Sequence, residues 1–408
     1  MQDPKPMPHE TQKDFDRLNR DIINVGLCTG CGTCVGVCPL GSVHMAYEED
    51  EPIPQLSGKC TACGICYDVC PGRDIPMPEL DSVTFGRKRS ESEQSLGIYR
   101  TCLKGFATNE NVRKASSSGG ATSAIFSYAF DEGIIDGAII AAPFDDPPWR
   151  FRPCIVKSAG EFVSRKSNSA YVMVPVNELL YEAVAKQRLR KLGIVGCPCH
   201  IHGLRKMIMQ GKPVNIAKSI HFMVGLFCAA NYYGAGTKHL IAEIGNVGLD
   251  EVSEIDYRGG DWPGYLTVKR KDNKVVTVSS KHDYIWHFLG ASSYKRDRCL
   301  MCIDFAAELA DISVGDSFIT EPGADPRVTA MLIRTERGEE LVRRAVETGY
   351  LKTQSHDPNL IPRSGLGWEA KKHANVHRLL QRQRFGWPAP DFGYVPSCTI
   401  FPRQLVLR

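Results

Sequence analysis

Between positions 121 and 350 the apolar residues fall into two alternating rhythms, short continuous runs and three-to-four spacings. Ala121 to Glu132 has the helical spacing and is stopped by Gly133. Gly137 to Ala142 is a short apolar run that predicts a strand. Asn177 is placed to cap a helix carrying apolar residues at 179, 180, 184, 189 and 192, with Gly193 as its stop. Ile194-Val195 reads as a strand, His200 to Gln210 as a helix, and Phe222 to Phe227 as another apolar strand. Then the period drops to two: Glu254 to Arg258, Leu266 to Lys271 and Val275 to Ser279 predict a β-rich insertion, its last two strands joined through Asp272-Asn273. A charged helix is predicted over Gly338 to Tyr350. A β–turn–α rhythm of this kind predicts an α/β domain with a β-rich insertion.

Outside that stretch the texture differs. Residues 1–20 read as a polar tail, and 79–98 as a charged linker in which Arg87-Lys88-Arg89 and Ser90-Glu91-Ser92-Glu93 are expected to face solvent. The pattern assigns no structure to the Pro-, Gly-, Trp- and Arg-bearing tail from Pro362 on. The division expected is a tail at 1–20, a cysteine-rich domain at 21–78, a linker at 79–98, a large domain at 99–335 and a C-terminal helix and irregular tail at 336–408. The fold class expected is α+β followed by α/β. A length of 408 residues with 43% hydrophobic content can bury a sizeable core, and a net charge of +4 without a dense basic block gives no case for nucleic acid. No run of eighteen apolar residues occurs, since the nearest, Ile220 to Gly236, is broken by His221, Asn231 and glycines. Met1 to Lys13 is polar and lacks the apolar core of a secretion signal, so a cytoplasmic protein is expected.

Cysteine changes the picture most. Sixteen are present, and eight fall in two runs, Cys28-x2-Cys31-x2-Cys34-x3-Cys38-Pro39 and Cys60-x2-Cys63-x2-Cys66-x3-Cys70-Pro71. This is the spacing of a bacterial ferredoxin with two 4Fe–4S clusters, in which the fourth cysteine of each run reaches the other cluster. Cys28, Cys31, Cys34 and Cys70 are therefore assigned to one cluster, and Cys60, Cys63, Cys66 and Cys38 to the other. Zinc sites use four ligands in two pairs, and disulfides suit small secreted chains; neither matches two proline-closed quartets.

The remaining cysteines are scattered. Cys197 and Cys199 follow the Ile194-Val195 strand, Cys228 follows the Phe222 to Phe227 strand, and Cys299 and Cys302 form a C-x2-C pair. Loops at the carboxyl ends of strands gather at one sheet edge. Spacing leaves two readings open: a third cluster on Cys199, Cys228, Cys299 and Cys302, with Cys197 competing for the Cys199 place, or buried free thiols. Ser116-Ser117-Ser118-Gly119-Gly120 precedes the helix from Ala121, which suits either a phosphate at a helix N-terminus or a serine cap. Arg258, Asp261 and Trp262 lie in a glycine-rich aromatic turn that can face a flat cofactor or close a hairpin. No complete G-x-G-x-x-G, no nucleophile signature and no assignable carboxylate pair occurs, and the histidines at 200, 202, 221, 282 and 287 show no ligand or triad spacing. Catalytic acid–base residues are left unassigned.

Gly196-Cys-Pro-Cys199-His-Ile-His-Gly-Leu-Arg205, Gly225-Leu-Phe-Cys228, Cys299-Leu-Met-Cys302-Ile-Asp-Phe305 and Glu308-Leu-Ala-Asp311-Ile-Ser-Val-Gly315-Asp316 follow one another in the order of a known family, and Ser118-Gly-Gly120 with Thr122 also fits. Over roughly Cys28 to Thr335 the chain resembles the beta-subunit family of coenzyme F-420-reducing hydrogenases and dehydrogenases. The resemblance implies an iron–sulfur flavoprotein oxidoreductase with FAD. A hydride passes to or from an organic partner, coenzyme F-420 first among them, and single electrons pass to or from ferredoxin or a partner redox subunit. It also implies Cys199, Cys228, Cys299 and Cys302 as third-cluster ligands and Ser116 to Gly120 as an FAD phosphate contact. His200 stands where the family often has Gln, and Arg165 to Tyr171 matches its Ser/Lys/Tyr flavin segment only in part. Two alternatives remain: a ferredoxin-dependent reductase of another organic substrate such as a tetrapyrrole, and a non-catalytic relay subunit.

Overall fold

The computed structural model describes residues 13–166, 168–290, 294–317, 326–363 and 366–395, with the side chains of Trp286 and Leu366 set aside. Residues 1–12 of the polar tail, Ser167, Cys398 and the end of the C-terminal tail lie outside the described residues.

The N-terminal lobe is built around two short helical turns, Thr33–Gly36 and Ile65–Asp68, each entered through a left-handed glycine, Gly32 (φ 81°) and Gly64 (φ 76°). Between them runs an antiparallel hairpin of β1 (Val43–Glu48) and β2 (Glu51–Leu56). Phe15, Leu18, Ile22, Leu27, Val43 and Tyr67 form its small core, and Met301 from the C-x2-C loop of the large domain is inserted among them. Gly32 is required on two counts, since a Cβ there would also lie 2.6 Å from the Glu178 backbone nitrogen.

The large domain adds β3 (Thr101–Ala107), β4 (Gly137–Pro143), β5 (Phe151–Val156), β6 (Leu192–Gly196) and β7 (Ile220–Leu226). It continues with β8 (Val252–Gly259), β9 (Tyr265–Arg270), β10 (Val275–Ser280), β11 (Ile312–Asp316), β12 (Thr329–Ile333) and β13 (Leu351–Ser355). Eight strands make one mixed sheet in the order β13-β3-β12-β11-β7-β6-β4-β5, parallel from β4 through β6 and β7 to β11 and antiparallel on both flanks. Ile139, Ile194, Phe222, Met223 and Val224 are buried, as strands covered on both faces require. The helices Ala121–Asp131 and Glu336–Glu347 share one core with the sheet, and Pro198–Gln210 shares the other with the β8–β10 sheet. The helix Ala121–Asp131, the charged helix and the β-rich insertion thus lie within a few residues of the predicted bounds, and the insertion is the antiparallel sheet β10-β9-β8.

Three expectations are corrected. The helix from Asn177 does not reach Leu192: a 3-10 turn at Val176–Leu179 leads to a helical turn ending at Lys186, and Leu192 and Gly193 open β6. Gly193 is no helix stop; a Cβ there would lie 2.6 Å from the Phe126 ring, so its smallness lets helix and sheet close. Asn177 does not cap with its side chain but is buried, donating to Thr33 Oγ1 (2.8 Å) and to the His200 carbonyl (3.0 Å). The charged linker is only partly solvated. Arg87 pairs at the surface with Glu93, but the Arg89 side chain is 5% exposed and donates to Asp81 (2.6 Å) and to Glu308. Lys372 donates to the same Glu308 at 2.5 Å. Breaking such a buried ion set costs more than forming it contributes, because the partner left behind is a stranded charge.

The tail has structure as well. Helical residues run from Leu366–Glu369 through Ala370–Ala374 to Asn375–Arg384. Beyond them the Asp391 and Phe392 carbonyls accept from the Ile75 and Met77 amides of the first lobe. This strap thereby ties both lobes together.

Candidate iron–sulfur and flavin centres

In the first lobe the turns bring the thiols together as two groups. Cys34 lies near Cys28, Cys31 and Cys70, and Cys66 near Cys60 and Cys63, with Cys66 also near Cys34 and Cys70 where the two groups adjoin. Cys38 lines one small pocket with Cys60, Cys63 and Cys66. Burial pushes the Cys66 and Cys70 thiols up to about 12, so these sulfurs ionise near neutral pH only against a bound cation. Eight thiols, few polar competitors and backbone N–H groups aimed at Cys28 and Cys60 sulfur fit iron–sulfur coordination. Cys60 and Cys63 are exposed, whereas Cys31 and Cys34 are buried.

The scattered cysteines converge at the carboxyl ends of the parallel strands. β6 delivers Cys197 and Cys199, β7 delivers Cys228, and the 3-10 turn Asp297–Met301 delivers Cys299 with Cys302 next to it. Cys199 has Cys228, Cys299 and Cys302 as neighbours, and also Cys31 of the first lobe. Cys197 also reaches Cys228, so five sulfurs meet here and both candidates for the fourth place are at hand. The framework is tight. His200 Nδ1 accepts from the Cys197 amide (2.9 Å) and Nε2–H donates to the Val174 carbonyl (2.8 Å). Burial lowers its pKa to about 4, which keeps the neutral tautomer these two bonds need. A glutamine amide offers the same acceptor and donor, which explains how histidine substitutes for it here. His202 pairs with Asp304 (2.8 Å) inside the protein, while His282 and His287 are exposed.

Two residues on the strap were not foreseen. Asn375 Nδ2 donates to the carbonyls of Cys299 (2.9 Å) and Cys302 (2.8 Å). Lys371 is 1% exposed, and its ammonium lies near the Cys302, Cys228 and Cys299 sulfurs. A signal existed: Lys371, Lys372 and Asn375 share the buried face of the strap with Val376 and Leu379, polar residues at apolar-face positions.

On the far side of a tyrosine wall lies a polar site. Tyr232, next to Cys228 and Cys299, faces Tyr171, whose ring lies 5.2 Å from that of Tyr257. Arg258 is buried there, donating to Asp316 (3.0 Å) and to the Ser117 carbonyl (2.5 Å), and Lys281 donates to the same Asp316 (2.6 Å). Lys166 Nζ donates to the Ala115 carbonyl (2.9 Å), with burial lowering its pKa to about 8. The serines do not cap the helix Ala121–Asp131, whose N-cap is Gly120 in the left-handed region. Ser116 donates to the Val112 carbonyl, Ser117 to Asn168 and Ser118 to Val328, so the serine-cap reading is set aside; the first amides of the helix, Thr122 included, have no partner within the helix itself. A loop of backbone donors ringed by Arg258, Lys281 and Lys166 fits an anionic pyrophosphate. Of the predicted trio, Arg258 joins this site, Trp262 is half-buried in the β8–β9 turn, and Asp261 is exposed at its tip.

The chain matches the models for the coenzyme F-420 hydrogenase/dehydrogenase beta subunit at both parts, the N-terminus over residues 102–181 and the C-terminus over 189–359. Residues 20–71 match a 4Fe-4S dicluster domain. It is 29% identical over 300 residues to the coenzyme F-420 hydrogenase subunit beta of Methanococcus voltae, covering 72% of this chain and 99% of that one. It is 28% identical over 347 residues to the coenzyme F-420-dependent sulfite reductase of Methanocaldococcus jannaschii, 81% of this chain and 47% of that one. A chain of the F-420-reducing nickel–iron hydrogenase complex of Methanosarcina barkeri superposes with a TM-score of 0.58 at 26% identity, over 74% of this chain and 98% of that one. No helix among the described residues is long and apolar enough to cross a membrane. With a dicluster segment in front of both halves of the matched region, the chain belongs to the coenzyme F-420 hydrogenase/dehydrogenase beta-subunit family.

Proposed function

We propose that this protein is an FAD-dependent iron–sulfur oxidoreductase subunit passing electrons between coenzyme F-420 and three 4Fe–4S clusters, onward to or from ferredoxin or a partner subunit. The observation that carries this is the convergence of the Cys199–Cys228–Cys299–Cys302 set and the Arg258–Asp316–Ser117 site, with Tyr171 and Tyr232 between them. A flavin, when bound, supplies the exchange between a two-electron hydride and single electrons. The chain's own residues do the rest. Lys166, Arg258 and Lys281 bring positive charge to the anionic part of the cofactor, and the backbone of Gly119 to Thr122 supplies donors. The buried Tyr232 and Tyr257, with the half-buried Tyr171, keep water from between flavin and inner thiols. Cys31 beside Cys199 joins the inner set to the first lobe, and the exposed Cys60 and Cys63 put the outer set where a partner can reach it. The match to a chain of a hydrogenase complex supports a partner subunit.

The test is anaerobic purification, iron, sulfide and flavin analysis, and mixing with reduced F-420. About twelve irons and one FAD per chain, with the flavin band bleaching within seconds, is the expected result. Flavin inert to F-420 but bleached by reduced ferredoxin would move the protein to the ferredoxin-dependent reductases. Absence of flavin would leave an electron relay.

A further inference from the structure

The strap beyond residue 359 lies past the matched family region, yet it delivers Lys371 into the inner thiol set. An ammonium buried to this degree needs an anionic partner. Lys372 has one in Glu308, but no carboxylate pairs with Lys371 among the described residues. What surrounds it instead is Cys302, Cys228 and Cys299, with Asn375 holding the backbone of the C-x2-C loop in place from the next turn. In the first lobe Lys206, near Cys70, pairs with Asp74, and Arg296, near Cys28, pairs with Glu51, while Arg298, also near Cys28, donates to the Pro71 carbonyl.

From this geometry we infer that Lys371 is the positioning residue that sets the reduction potential of the inner cluster, as a fixed, uncompensated positive charge against its thiolates. The inference rests on the three-cluster reading. One-electron reduction adds one negative charge to a cluster already ringed by four thiolates. A buried cation near those sulfurs stabilises the reduced form more than the oxidised one, and the low-dielectric surroundings leave the effect unscreened. Lys371 thereby makes the inner cluster easier to reduce than it would be without that charge, which suits the station nearest the hydride-derived electrons.

The experiment is a potentiometric titration of the anaerobically purified full chain, dithionite supplying the electron and the cluster taking it up, followed by electron paramagnetic resonance. Lys371→Met and Lys371→Gln should keep the iron content of the unaltered protein. In both, the inner signal should move to lower potential by at least tenfold in the reduction equilibrium, about 59 mV for one electron. Lys371→Arg, which keeps the charge, should stay within threefold of the unaltered protein. Full iron in the Met and Gln variants with an unmoved or raised potential would overturn the inference while leaving the cluster standing. About eight irons in the unaltered protein would overturn the inner cluster itself, and the inference with it, at a separate step.

Discussion

The two cysteine regions gather sulfur by opposite routes. In the first lobe eight ligands lie within 43 positions, Cys28 to Cys70, and short turns gather them. In the large domain the sulfurs come from three loops spread from Cys197 to Cys302, and the sheet gathers them. The first arrangement leaves Cys60 and Cys63 exposed, whereas the second is closed by a strap carrying a cation and an amide. Local chain geometry thus builds the set with exposed thiols, the one proposed to meet partners. Long-range topology builds the one that must be shielded and tuned.

That contrast can be broken most sharply with ligand substitutions. Cys302→Ser and Cys63→Ser should each cost about four of about twelve irons. Only the first should disconnect reduced flavin from the first lobe, read as a flavin that bleaches with F-420 while the ferredoxin-type signals stay oxidised. Equal disconnection by both would sink the ordering of inner and outer centres. The junction between the regions comes next. Gly32→Ala meets both a left-handed backbone and the Glu178 amide, so a loss of roughly 2–4 kcal/mol is expected by denaturant unfolding, and an unchanged midpoint would show that the lobes do not lean on each other there. Asn177→Leu strands the Thr33 hydroxyl and the His200 carbonyl and should cost about 1–3 kcal/mol in the same assay.

The smallest effect is a pH dependence at that junction. Burial raises the Glu178 carboxyl from 4.5 to about 7. Its folded pKa lies above its unfolded one, so the neutral form favours folding below pH 4.5, and that contribution is lost as pH rises to about 7. Glu178→Gln should therefore gain about 1–2 kcal/mol over the unaltered protein at pH 8 and nothing at pH 4. A gain equal at both pH values would assign it to packing instead.

What could be read from the sequence follows the same divide. The ferredoxin cysteines and the antiparallel insertion were legible because each depends on neighbours a few positions away. The stretch from Asn177 to Gly193 misled because apolar residues of a helix and of a buried strand abut there, and periodicity cannot tell Leu192 of β6 from a further helical turn. Strands β3, β12 and β13 offered no distinct pattern of their own and are set by pairing across more than 200 positions. Arg89, Lys371 and Asn375 were missed for the same reason. Their partners, Glu308, Cys302 and Cys299, lie 219, 69 and 76 residues away in the chain, and local charge pattern favours solvent for each.

Met301 carries a consequence for how such proteins are recombined. It sits between Cys299 and Cys302, and its side chain is a core residue of the other lobe, among Phe15, Leu18 and Ile22. A ferredoxin cassette traded in from another protein would have to supply a matching socket. Without one, a bare methionine would be exposed and the loop that carries two inner sulfurs would lose its anchor. The two lobes should therefore melt as a single calorimetric transition, and in descent they should change as a pair.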